Sequence, residues 1–145
     1  MPSPQLDNLA RTGQLAREVP DASELDARKR TGKALLKDAL NMTLSMETRF
    51  MAAYGAAFAF STAALRWHGY RPNDKRYVAF QALEHTLGLP PEQWRVLDKA
   101  HTKRNAMEYQ GEFEADAHLL AAMLRVTQEV LDRLDRLGPP PSESL

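Results

Sequence analysis

The chain has 145 residues, nineteen basic and nineteen acidic side chains, and no cysteine. That length is one domain by default and buries a core without disulfides or metals. The missing thiols exclude disulfide staples and thiolate chemistry, and zero formal net charge leaves only a local basic patch as a route to nucleic-acid binding.

The first stretch, MPSPQLDNLARTGQLARE, has no apolar run of secretory type, so the expected location is the cytoplasm. Residues 1–20 read as an N-terminal arm. Leu6, Leu9 and Leu15 suggest a brief helix after Pro4, Gly13 weakens its continuation, and the arm is expected to lie across the rest. Pro20 marks a break. Asp21 or Ser23 then caps a helix from about Ala22 to Met42, because a short side-chain oxygen satisfies an orphan backbone N–H. Leu25, Ala34, Leu35, Ala39 and Met42 form its apolar stripe. Arg28, Lys29, Arg30, Lys33 and Lys37 form a basic face best explained by solvation.

Asn41 to Ser45 is a turn, and Ser45 is the candidate cap of the central helix, SMETRFMAAYGAAFAFSTAALRWH. Phe50, Ala53, Tyr54, Ala57, Ser61, Ala64 and Leu65 recur at helical steps. Met51, Phe58 and Phe60 carry apolar bulk onto other faces. A bilayer crossing needs about 20 apolar residues, whereas Arg49 and Arg66 bound a shorter run rich in Ala, Gly and Ser. A buried core helix is therefore expected, with Gly69 ending it.

Tyr70 to Asn73 connects to a helix from about Asp74 to Leu87, with Tyr77, Phe80, Leu83 and Leu87 inward. Pro90 and Pro91 suit the first turn of the next helix, which carries Trp94, Leu97, Ala100 and Met107 inward and stops at Gly111. The last helix spans about Glu114 to Leu137, with Leu120, Met123, Thr127, Val130, Leu134 and Leu137 in its stripe. Residues 139–145 read as a disordered tail that follows Gly138 and opens with three prolines. No stretch alternates well enough for a strand. The expected fold is all-α: an antiparallel bundle of about five principal helices over residues 21–138.

The densest polar segment is HTKRNAMEYQG, residues 101–111. On a helix, His101, Asn105 and Tyr109 are spaced by four, with Arg104 and Glu108 on the adjoining row. Arg104 offers a fork of donors suited to phosphate, Asn105 both donates and accepts, and Tyr109 stacks or donates. The competing structural reading is an ordinary Arg104–Glu108 ion pair, Asn105 bound to a neighbouring backbone group, and a half-buried Tyr109. His68, His85, His101 and His118 share no metal-ligand spacing, and HExxH, a Gly-rich phosphate loop and GxSxG are absent. No metal or cofactor is expected.

Three pieces resemble the HEPN superfamily of small helical bundles over roughly Ala22 to Leu137. They are ETRFMAAYGAAFAFSTAALRWHGYRP, the Arg–Asn segment KRNAMEYQG, and the long amphipathic last helix. Active HEPN ribonucleases follow an Arg–polar pair with His and cut RNA without metal in the cleft of a two-fold dimer. Here Arg104 and Asn105 match the pair, but the position of that His falls on Tyr109, Gln110 or Gly111. A tyrosine ionises near pH 10 and is a poor general base at neutral pH. The resemblance implies a homodimer that binds RNA or nucleotide through Arg104, Asn105 and Tyr109, with Lys103 and Arg71 adding charge and with cleavage weak or absent. Two alternatives stand beside it. One is a divergent metal-free ribonuclease using His101 or Tyr109. The other is a non-catalytic interaction module for a partner such as a nucleotidyltransferase. Many HEPN proteins are paired with that enzyme in toxin–antitoxin systems, and in some a Tyr near the motif accepts nucleotidyl groups, a role that would fall to Tyr109.

Overall fold

The computed structural model describes residues 3–111, 113–114 and 116–141. The chain is predominantly helical. Four long helices, α2 (Ala22–Ala39), α3 (Met46–Trp67), α6 (Pro91–Gln110) and α7 (Ala117–Arg136), carry the core. Three short ones, α1 (Pro4–Arg11), α4 (Tyr77–Gln81) and α5 (Leu83–Thr86), fill its ends. Among the described residues no helix is long and apolar enough to cross a membrane.

The central helix α3 packs against α2, α4, α5, α6 and α7. Ser45 caps its start by accepting from the Thr48 N–H. Every residue from Ala52 to Arg66 is buried except Gly55 and Phe58, so α3 is enclosed on nearly all sides. Its small residues permit close approach. A methyl added at Gly32 of α2 would sit 2.4 Å from the Phe60 ring. Helix α2 starts at Asp21, whose carboxylate accepts from Ser23 and Glu24 N–H groups. It stops at Ala39, earlier than expected, and Met42 is 80% exposed. Leu36 is buried where Ala34 was expected and is not. On the basic face, Arg28 pairs with Glu24 and Lys29 with Asp135, while Arg30, Lys33 and Lys37 are exposed.

Two expectations fail. A strand pair exists: β1 (Leu15–Arg17) lies antiparallel to β2 (Tyr70–Pro72), with Ala16 opposite Arg71. Three residues are too few to display alternation, and Leu15 belongs to this strand instead of a helix. The helix expected over 74–87 is replaced by α4 and α5, leaving four long helices where five were expected. At Ala82 ψ drifts to −13°, and His85 N–H bonds Ala82 O at 2.8 Å, the tighter spacing of a 3₁₀ turn.

The arm is held by a charged centre. Arg66, taken from sequence as the polar flank of a core helix, is 0% exposed. It donates to Glu18 O (2.9 Å), Val19 O (2.6 Å) and the Glu24 carboxylate (3.0 Å), and Arg71 bridges Glu18 and Glu24. Burial opposes charge on Glu24, but hydrogen bonds from Arg28, Arg66 and Arg71 prevail and hold its pKa down at about 2. Beside this centre Leu6, Leu15, Leu65, Tyr70, Val78, Ala79 and Ala82 form a second small core. At the other terminus, Trp67 Nε1 donates to Gly138 O and Pro139 O, each at 3.2 Å. Of the tail expected to be disordered over 139–145, residues 142–145 fall outside the described residues.

Candidate functional site

Pro90 precedes α6 and Pro91 opens it, and Gly111, at φ 74°, closes it in the left-handed conformation that glycine tolerates. Leu97 and Ala100 anchor the helix in the core, which aims His101 and Arg104 at α3. His101 is half-buried. Its Nδ1 lies 2.9 Å from the Tyr54 hydroxyl and its Nε2 lies 3.2 Å from Asn105 Nδ2. The ring stacks beside Tyr54 at 6.1 Å and meets Tyr77 and Phe80 at 6.1 and 6.3 Å. Burial lowers the His101 pKa, and the charges of Arg104 and Arg76 push the same way against Asp98. The imidazole is therefore neutral at pH 7, with both nitrogens engaged.

Arg104 lies over the Tyr54 face, its Cζ 5.2 Å from the ring centroid. Its Nη2 pairs with Glu108 Oε1 at 2.7 Å. Its side chain is 17% exposed and Nε is buried without a hydrogen-bond partner. Arg76, just ahead of α4, lies over Phe58 with Cζ 4.7 Å from the ring centroid. Tyr54 and Phe58 are one turn apart on α3, so two guanidiniums cover neighbouring rings. Burial raises the Tyr54 pKa, while Arg104 and Arg76 both oppose that rise.

The structure thus gathers His101, Arg104 and Asn105, and adds Tyr54 and Arg76. Tyr109 is not gathered with them. It is 87% exposed at the end of α6, not half-buried. Arg71 belongs to the Glu18–Glu24 network in β2, where two carboxylates neutralise it. Lys103 places Nζ 5.7 Å from the centre of the Phe113 ring. Beside Glu108 a hollow of about 220 Å³ is lined by Glu47, Met51, Met107, Glu108, Gly111 and Phe113. No protein-family model matches the chain, and no curated protein matches it.

Sequence reasoning missed Tyr54 because its position in the α3 stripe reads as core. The usable signal was its hydroxyl, since a buried tyrosine needs a polar partner. Arg76 sits in what read as the start of an unremarkable helix, and only the tertiary fold brings it to α6.

Proposed function

We propose that the chain is a HEPN-type homodimer that binds the phosphate of an RNA or nucleotide at Arg104 and Asn105, with little or no cleavage. The observation that carries this reading is the buried, unpartnered Nε of Arg104 beside a hydrogen-bonded Tyr54–His101–Asn105 chain. Arg104 already holds Glu108, but an i,i+4 pair whose carboxylate is 49% exposed is a weak competitor. Such pairs contribute about 0.3–0.5 kcal/mol, whereas a hydrogen bond to a charged group contributes about 1.5–3 kcal/mol. In this reading phosphate competes with Glu108 for the Arg104 guanidinium.

Weak cleavage follows from the two candidate bases. Both His101 nitrogens face partners within the chain, and Tyr109 is exposed at the end of α6, away from the other candidate residues. A partner nucleotidyltransferase is part of the same proposal, and co-purification from native lysate tests it. The direct test of the site is fluorescence anisotropy with labelled RNA. Wild type binds, and Arg104→Ala weakens binding about tenfold or more. Equal binding by the two proteins, or none by either, rejects the site. Light scattering tests the dimer, and a monomer at high concentration removes it.

A further inference from the structure

Beyond α7 the chain passes through Gly138, at φ 73°, into the run Pro139 to Pro141, and there it meets Trp67, the last residue of α3. Proline has no N–H, so such a run offers only its carbonyls for hydrogen bonding. The Trp67 indole supplies the donor, with Nε1 3.2 Å from both Gly138 O and Pro139 O. That indole is itself fixed. It packs on the main core, and His68, tied through Nε2 to Thr86 O at 2.9 Å, stands T-shaped to it at 4.8 Å. The tail is held more lightly, since Pro139 and Pro141 are exposed and Pro140 is half-buried. Beside it lies a hollow of about 290 Å³, walled by Leu25, Asp26 and Lys29 of α2, by Trp67 and Leu134, and by the tail.

We propose that this groove docks a proline-rich segment of a partner protein, and that the chain's own 139–141 run sits in it as a built-in competitor. The occupant is argued from the one already seated there, a proline run whose leading carbonyls meet a fixed indole. A polyproline helix is extended before it binds, so seating it costs little ordering, and an aromatic-lined groove is the surface that takes it. Leu25 and Leu134, both buried, supply apolar walls beside the indole. The exposed tail covers the groove only in part, which leaves room for a competing segment to displace it.

The test is a ¹⁵N NMR titration of the full chain with a capped peptide of its own residues 136–143, RLGPPPSE. The Trp67 Nε1–H resonance is assigned by its absence from the Trp67→Phe spectrum. Trp94, bonded to Glu84, is the internal control for an intact fold. Wild type is compared with a loosened tail carrying Pro139→Gly, Pro140→Gly and Pro141→Gly. In the loosened variant the peptide should shift Trp67 saturably and leave Trp94 in place. Wild type should bind at least about tenfold more weakly, because a site open about 10% of the time or less weakens apparent affinity by that factor. Adding Trp67→Phe to the loosened tail keeps a ring but no donor, and should abolish most of the binding read from Leu25 and Leu134 amides. The same peptide with alanine in place of its prolines should not bind. An unmoved Trp67 resonance in the loosened variant, equal affinity of wild type and loosened variant, or equal binding of the alanine peptide overturns the proposal. A wild-type Trp67 resonance that moves with protein concentration makes the occupant a second copy's tail and overturns the partner.

Discussion

Replacing Arg66 by Met probes the charged centre that joins the arm to α3. The guanidinium is wholly buried and supplies donors to Glu18 O, Val19 O, Tyr70 O and the Glu24 carboxylate. Methionine fills much of the volume and supplies none of those bonds. Removing one partner of a buried pair costs about 3–5 kcal/mol. Glu24 keeps Arg28 and Arg71 after the change, which places the expected loss near the lower figure. For the Glu24 carboxylate itself, a fall from 4.5 to about 2, at about 1.36 kcal/mol per pH unit, is worth at most about 3.4 kcal/mol, shared among Arg28, Arg66 and Arg71. Because the folded pKa lies below the unfolded one, that stability is complete above about pH 4.5 and is lost as pH falls through about 2. Urea unfolding of wild type, Arg66→Met and Glu24→Gln should therefore show the Glu24→Gln deficit flat at neutral pH and shrinking under acid. The double variant should lose less than the sum of the singles, since both act on one network. An Arg66→Met loss under about 1 kcal/mol, or a Glu24→Gln deficit that grows as pH falls, refutes the reasoning.

Gly32→Ala drives a methyl into the Phe60 ring at 2.4 Å. That overpacking costs about 1–3 kcal/mol against a helix-propensity gain of about 0.5–1, so thermal unfolding should show net destabilisation. Gly55→Ala meets only the tip of half-exposed Leu35, at 2.9 Å, and should be near neutral. His101 should titrate below the ordinary 6.5 by NMR, and Arg104→Ala should move it upward by removing a cation. The depressed value means its contribution to stability is present above about pH 6.5 and is lost as pH falls through the folded pKa. Tyr109→Ala should leave stability within about 0.5 kcal/mol, as an exposed side chain does.

The long helices were legible because their signals are local. Ser45 caps α3, Asp21 caps α2, and Pro91 and Gly111 bound α6. The strand pair was not, because residues 15–17 and 70–72 acquire extended structure from each other across more than fifty residues of chain. The α4–α5 break was hidden too, since Ala82 carries no breaker signal. Arg66 shows the limit of reading charge as a boundary, because its burial depends on carbonyls that a distant arm delivers. At the site, the Arg104–Glu108 pair was visible in the spacing, and His101 and Asn105 were placed on one row, but Asn105 meets the His101 ring where the structural reading gave it a neighbouring backbone group. Tyr109 shares that spacing but is 87% exposed at the end of α6, and spacing along one helix says nothing about what lies opposite it.

Arg104 Nε is buried and unpartnered in the free chain, so its N–H resonance, assigned by its absence from the Arg104→Lys spectrum, reports directly on an incoming acceptor. Titrating 5′-phosphorylated RNA into ¹⁵N-labelled protein should shift that resonance downfield and saturably, with Asn105 side-chain signals moving alongside it. A resonance that stays in place while RNA is bound contradicts the assignment of this site.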